Sequence, residues 1–231
     1  FAEGYQVNLL STKQTGMGHV GTGMKLGAES MHFNPAGLVF LRTNMDFSLG
    51  ISAIMAKAKY SYDGYSAKTD NPVGTPLYAY AGFKIYDNLA AGISLTTPYG
   101  NSLKWPKNWA GAGLIQDISL KSYVIQPTLS YKVTDRLSIG VGLQLAWGNV
   151  NLSRALMGAS DLQGIGAKFE SLLPLLAGVP SNVIPDADKQ TMQEMVALMK
   201  NTEVPPAYAR LQGNAHMRVG FNVGIMYDVC D

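Results

Sequence analysis

The chain has 231 residues, of which 47% are hydrophobic and only 15% charged, and its net charge at neutral pH is +2. An ordinary soluble domain carries about 25% charged residues, so the deficit needs a cause, and basic residues scattered singly leave no footprint for nucleic acid. A single cysteine, Cys230, excludes an internal disulfide, three separated histidines exclude short metal-ligand spacings, and no run of 18 apolar residues supplies a membrane-spanning helix.

The chain opens FAEGYQ, and two readings of this start fit: Phe1-Ala2 as the remnant of a small-residue cleavage site before Glu3, or a plain mature start. Residues 16–21, GMGHVG, match the dinucleotide pattern, but a poor strand precedes them and a poor helix follows. Their glycines better suit a compact segment that passes close to neighbouring walls. Asn34-Pro35-Ala36-Gly37 then stands directly before the first alternating run. Pro35 fixes its own φ and forces Asn34 to be extended, while the Asn34 side chain can bond its own backbone. By turn chemistry alone this is an ordinary turn before a strand.

Period-two alternation is the strongest signal in the chain. It runs through 45–55, 77–86, 89–97, 123–133, 137–147 and 216–227. In 137–147 the odd positions are Leu137, Ile139, Val141, Leu143, Leu145 and Trp147, and the even positions are Ser, Gly, Gly, Gln and Ala. The runs are about 10 residues long, the length of a tilted transmembrane strand rather than the 5 or 6 of a soluble one. Aromatics (Tyr131, Trp147, Tyr227) lie near the ends of the apolar face, and the opposite face is small, polar and almost uncharged. A lumen fits that face better than the outside of a soluble β-sandwich, the competing reading. The fold class expected is therefore all-β, a transmembrane antiparallel up-and-down barrel.

Short turns rich in Asp and Asn (86–88 and 133–136) alternate with long polar segments (61–76, 99–120 and 156–214), the asymmetry of short periplasmic turns and long extracellular loops. Six strands are too few to close a barrel in lipid, so the chain reads as an N-terminal portion of a longer protein. Pro98 follows a run of strand-like residues, which either simply end there or are kinked by it. Pro127 counts to about the height of Leu95 on the neighbouring strand. Two missing donors are expected to weaken the seam between strands three and four.

The segment 156–214 is too long for an idle loop. Leu162, Ile165, Phe169, Leu172 and Leu176 fall near helical spacing, and so do Met192, Met195, Val196 and Met199. Two amphipathic helices packed on the barrel rim, or an apolar groove lined by adaptable methionines, both satisfy this pattern. Arg154 at the end of a strand reads either as an interfacial cation or as a bidentate partner for a carboxylate.

The stretch GYQVNLLSTKQTGMGHVGTGMKLGAESMHFNPAGL, with Tyr5, Gln6, Asn8, Gly16, Gly18, Gly21, Gly23 and Asn34-Pro35-Ala36, closely resembles the N-terminal hatch of FadL-type outer-membrane transporters of long-chain fatty acids and hydrocarbons. The similarity continues through PYGN (98–101), LSYKVTDRLSIGVGLQLAWG and VGFNVGIMYD. The resemblance implies a hatch over residues 1–43 that plugs the barrel portion 44–231, about the first six of an expected 14 strands. It also implies capture of ligand outside, movement of the hatch N-terminus, and sideways release into the membrane beside strand three. Asn34, Pro35, Ala36 and Gly37 then become the corner between plug and wall, and Tyr5 and Val7 lie in or beside the ligand pocket. Pro98, Tyr99, Gly100 and Pro127 border the lateral opening. Phe169, Met192, Met195 and Met199 are candidates for first capture, and Arg154 for a ligand carboxylate.

The expected function is passive uptake of hydrophobic small molecules across the bacterial outer membrane. The partners are a fatty acid, hydrocarbon or detergent ligand and outer-membrane lipid, with no cofactor, no metal and no nucleic acid. No catalytic constellation is recognisable, so no enzyme is predicted. A non-transporting adaptor of the same fold would lack an apolar pocket near the hatch, and a general diffusion porin would have an open lumen ringed by charge.

Overall fold

The computed structural model describes residues 4–229, and the reading of Phe1-Ala2 lies outside them. From the N-terminus, α1 (Thr12–Gly16), α2 (Ser30–Phe33) and a 3-10 turn over Pro35–Phe40 lead into β1 (Met45–Ile51). A hairpin follows, β2 (Lys59–Tyr62) and β3 (Tyr65–Lys68), and then β4 (Leu77–Tyr86), β5 (Leu89–Thr96), β6 (Gly100–Lys104), β7 (Asp117–Lys132) and β8 (Leu137–Ala155). The helices α3 (Ala159–Ala177) and α4 (Asp186–Lys200) precede the last strand, β9 (Tyr208–Tyr227). Among the described residues, no helix is long and apolar enough to cross a membrane.

The alternating runs form one antiparallel sheet in the order β1-β4-β5-β7-β8-β9, with β6 prolonging β5 along β7. Sequential neighbours joined by tight turns are the simplest way to satisfy every ladder bond between consecutive strands. The N-terminal segment packs on one face of this sheet and meets all six of these strands, so the sheet curves around it. That inner face is polar and buried: Gln126 is 2% exposed, Thr128 4% and Ser130 1%. The outer face is apolar and bare, with Leu49 at 81% and Phe221 at 79%. A continuous bare apolar face of this size has only lipid as a sensible neighbour.

The inner core lies between the N-terminal segment and the wall. Ala28, Met31, Leu38, Val39 and Leu41 of the segment pack against Tyr78, Tyr80 and Ala90. A second core caps the opposite end of the sheet. There Trp105 and Trp109 stack with ring centroids 4.2 Å apart, and with Leu103 and Ile115 they enclose Ala67, Ala112 and Ala155. Trp109 Nε1 donates to the Ile115 carbonyl at 2.8 Å, which satisfies the one polar atom of a buried indole.

Three expectations are revised. The strands β7, β8 and β9 run 16, 19 and 20 residues, several residues beyond the apolar alternation that marked them. The loop 61–76 is entered by part of a hairpin rather than being irregular throughout. The two helices of 156–214 are present, but their principal packing is on each other rather than on the rim.

Candidate functional site

The corner is built by Asn34. Its backbone is extended, at φ −156 and ψ 102, because Pro35 follows it, and its Oδ1 accepts from the Ala36 N–H at 3.1 Å. Its Nδ2 reaches both ways, to the Thr22 carbonyl at 2.9 Å and to the Ile225 carbonyl of β9 at 3.2 Å. The Ala36 carbonyl accepts from Ser130 Oγ at 3.1 Å and Ser138 Oγ at 3.0 Å, on β7 and β8. Two wall glycines make this approach possible. A Cβ on Gly140 would stand 2.3 Å from the Pro35 carbonyl carbon, and one on Gly224 would stand 2.0 Å from Asn34 Oδ1. Gly37 is buried against Ser30 and Met226.

The fastening continues on both sides of the corner. Gln126 Nε2 donates to the Met31 carbonyl at 2.6 Å, Asn222 Nδ2 to the His32 carbonyl at 3.1 Å, and the Ala28 N–H to Asp46 at 2.8 Å. His32 sits in this packed segment, where burial lowers its pKa.

Residues 4–25 are held by fewer bonds. Ser11 caps α1 by accepting from the Gln14 N–H at 3.1 Å, and its own hydroxyl donates to the buried carboxylate of Glu29. Ser48 Oγ on β1 donates to the other Glu29 oxygen at 2.6 Å. Tyr80 Oη donates to the Leu10 carbonyl at 2.9 Å, and the Tyr78 hydroxyl is 2.9 Å from Thr12 Oγ1. Gln14 is fully buried, yet neither its Oε1 nor its Nε2 has a hydrogen-bond partner in the protein. An unsatisfied buried amide costs about 1–3 kcal/mol, so this half of the segment is docked at a penalty.

The extreme N-terminus meets the wall at strand three. Pairing of β4 with β5 ends at Tyr78–Thr96, followed by bonds between Thr97 and Leu77 alone: the Thr97 N–H and Oγ1 donate to the Leu77 carbonyl at 3.2 and 3.1 Å, and the Leu77 N–H donates to Thr97 Oγ1 at 2.9 Å. Beyond it the exposed edge of residues 98–100 is taken by the N-terminus: the Val7 N–H donates to the Pro98 carbonyl at 2.8 Å and the Gly100 N–H to the Tyr5 carbonyl at 2.9 Å. Gln6 and Tyr99 face each other between these two bonds. On the other edge, residues 97–99 stand opposite only 122–123, a one-residue bulge between the pairs Thr96–Val124 and Gly100–Lys121. Pro98 is buried in this bulge. A cavity of about 200 Å³ opens here, bordered by Val7, Ile54, Pro76, Tyr99, Gly100 and Tyr123.

The expected weak seam therefore needs correction. The ladder between strands three and four is continuous from Leu89–Tyr131 to Thr96–Val124, and Pro127 stands opposite Ile93 within it. The donor that Pro127 lacks falls on its other edge, where pairing with β8 skips from Ile125–Leu145 to Thr128–Gly142. Gln144 Nε2 spans that gap by donating to Gln126 Oε1 at 3.0 Å. A strand residue donates to only one neighbour, and height alone could not say which. The wall's interruption lies instead between strands two and three, on the side of Pro98 away from Pro127.

Outside the sheet, α3 and α4 enclose a groove of about 520 Å³ lined entirely by apolar side chains, among them Phe169, Leu172, Met192, Met195 and Met199. Gly166 lets Met199 and Lys200 come close, and Lys200 Nζ pairs with Glu170 at 2.6 Å across the two helices. Ser181 and Lys189 both bond Asp186, and Lys189 first and Ser181 second hold its carboxyl below the ordinary range. This ties the start of α4 to the preceding turn. Arg154 lines neither this groove nor the cavity at strand three. It is exposed near the end of β8, paired across the ladder with Ala209.

Of the candidate residues, the structure brings Tyr5, Val7, Pro98, Tyr99 and Gly100 together at one place, and Phe169 with the three methionines at another. Sequence reasoning missed Glu29, Ser11, Ser48, Tyr78 and Tyr80. Glu29 carried a signal, since it is the one acidic residue between Glu3 and Asp46.

Comparisons with known proteins agree with this architecture. Solved structures of similar fold include a Pseudomonas aeruginosa FadL homologue, 18% identical with a TM-score of 0.62 over 98% of this chain and 50% of that one. The Ralstonia pickettii toluene transporter TbuX is 19% identical, with a TM-score of 0.56 over 92% of this chain and 52% of that one. The P. putida toluene transporter TodX is 20% identical, with a TM-score of 0.53 over 89% of this chain and 49% of that one. The chain thus spans about half the length of these structures. Among curated proteins none matches it by sequence. The family described as outer membrane protein transport protein (OMPP1/FadL/TodX) matches residues 1–231, and the chain belongs to that family of outer-membrane β-barrel proteins.

Proposed function

We propose that the protein passes hydrophobic small molecules across the outer membrane, with capture in the α3–α4 groove, movement of residues 4–25, and release sideways between strands two and three. The observation that carries this reading is the double role of the N-terminus. Residues 5–7 belong to the segment on the inner face and also complete the wall, on the edge of residues 98–100 where β4 has ended. A single displacement would free the inner face and expose the cavity at strand three. The bonds to be broken are few, and an amide already unsatisfied at Gln14 lowers the cost. An open porin lumen ringed by charge does not match an inner face filled by the segment.

The groove argues for the apolar part of the ligand. Its lining of Phe, Leu, Met and Val has no cation to meet a carboxylate, and methionine adapts to varied shapes. Long-chain acids and plain hydrocarbons are then carried alike by their apolar portion, and Arg154, which lines neither cavity, does not select between them.

A tether tests the reading. Gln6 and Tyr99 form a pair flanked rather than joined by hydrogen bonds, the kind whose Cα atoms lie about 4.5 Å apart, within disulfide range. In the protein carrying Q6C and Y99C, oxidation is expected to reduce uptake of a radiolabelled hydrophobic compound about tenfold or more, with recovery on reduction. Equal uptake in the oxidised and reduced forms would contradict the proposal.

A further inference from the structure

Three wall strands continue well past the apolar band, and their outward side chains change character abruptly. On β7 the outward positions from Tyr131 to Tyr123 are apolar or aromatic, eight steps or about 27 Å along a tilted strand. That is the span an outer-membrane wall needs. Tyr123 pairs with Trp147 and their rings stack with centroids 6.0 Å apart, which marks the outer aromatic belt. The turns at 86–88 and 133–136 lie at the other end, so the extension beyond this belt points outward from the cell.

Above the belt the next outward row is Lys121, Asn149 and Asn214. The following row is Ser119, Asn151 and Gln212. The last is Asp117, Ser153 and Arg210, with Lys104 paired beside Asp117 on β6. The bulge at Ala146/Gly148 shifts β9 by one residue, and this shift brings Asn214, Gln212 and Arg210 to the outward face. The strip extends about 20 Å beyond the belt, through the layer occupied by lipid headgroups. Among the described residues, none of Lys104, Lys121 and Arg210 is in an ion pair, and the side-chain amides of Asn149, Asn151, Gln212 and Asn214 have no hydrogen-bond partner. A depression of about 220 Å³ lies between Asp117, Asn151, Arg210 and Gln212.

We infer that this strip binds the headgroup of a phosphorylated, sugar-bearing lipid of the outer leaflet. Three cations against one carboxylate complement phosphate, guanidinium matching it bidentately. Free amides and hydroxyls offer the paired donors and acceptors that sugar hydroxyls require. The aromatic belt directly below fixes the height at which the acyl chains begin. The inference rests on the membrane orientation of the wall and is independent of whether the protein carries a ligand.

The test uses the intact protein in lipid nanodiscs containing phosphatidylethanolamine together with a bis-phosphorylated diglucosamine glycolipid, its dephosphorylated form, or phosphatidylglycerol, with native mass spectrometry of the lipid retained. Each cation near an anionic surface contributes about a fivefold change. The phosphorylated glycolipid is therefore expected to be retained about tenfold or more over phosphatidylethanolamine. The variant K104S/K121S/R210S should lose most of that preference, as should the dephosphorylated lipid. A variant with the same charge removed from the β2–β3 side, K57S/K59S/K68S, should keep it. Equal retention by wild type and K104S/K121S/R210S, an equal loss in the control variant, or phosphatidylglycerol held as tightly as the glycolipid would each overturn the assignment.

Discussion

Residues 26–41 and residues 4–25 are consecutive parts of one segment on one face of one sheet, and they are fastened in different ways. The later part is bonded by β1, β7, β8 and β9 through Asp46, Gln126, Ser130, Ser138, Asn222 and the Ile225 carbonyl. Glycines at 140 and 224 let the backbone of the corner lie directly against the wall. The earlier part is held by two tyrosines, by the Ser11–Glu29 contact, by two backbone bonds at strand three and by the solvent-exposed Lys25–Asp228 ion pair at its last residue, and it leaves Met17, Val20 and Met24 exposed and the Gln14 amide unpaired. Under the proposed function, the difference assigns the two parts different roles: residues 26–41 stay on the wall, and residues 4–25 are the part whose release costs little.

The largest expected effects come from breaking the fixed part. Asn34→Ala removes an Asx bond worth about 1 kcal/mol and two further bonds of about the same size. A loss of about 2–3 kcal/mol should appear as a lower unfolding midpoint in denaturant. Gly140→Ala places a methyl against the Pro35 backbone, and overpacking of this kind costs about 1–3 kcal/mol, checked in the same way.

Ser11→Ala sharpens the contrast. It removes the α1 cap and one partner of the buried Glu29 carboxylate, yet its main consequence should be local. Proteolysis or amide exchange within residues 4–25 should quicken several-fold, while the unfolding midpoint moves by less than about 1 kcal/mol.

Acid acts on the fixed part through His32. Its pKa is lower folded than unfolded, so between the folded value and about 6.5 the unfolded chain binds more protons. The stability due to the neutral imidazole is complete above pH 6.5 and is lost as pH falls through that window. The unfolding midpoint should therefore drop between pH 7.5 and pH 5 by more in the wild type than in His32→Gln. The smallest effect is expected from Arg154→Ala, which should change uptake of a long-chain acid by less than about twofold, measured against uptake of an uncharged hydrocarbon.

Much of the wall was legible because a lipid-facing strand must alternate. The spans 77–86 and 89–97 in sequence match β4 and β5 within a residue. The upper halves of β7, β8 and β9 were not read from sequence, since above the aromatic belt the alternation inverts: polar side chains take the outward positions and Ile118, Leu120, Val150, Leu152 and Leu211 the other face, so a search for an apolar outward face ends at the belt. Phe169, Met192, Met195 and Met199 were found by helical spacing, and they converge on one groove. The neighbour that Pro127 fails to bond was beyond reach, because it depends on which edge of the strand the missing N–H faces. The strand-like placement of residues 5–7 was equally hidden. Its bonds are long-range and backbone-only, and they leave no mark on side-chain pattern.

The most direct measurement is amide hydrogen exchange on the protein in detergent, with and without a saturating hydrophobic compound, resolved along residues 4–41. The account predicts that Ala36, Gly37 and Val39 stay protected in both conditions, while Val7 and Thr15 exchange at least about tenfold faster and faster again with ligand. Uniform protection across both parts, or ligand-induced loosening of the corner as well, would contradict a plug with one fixed and one releasable half.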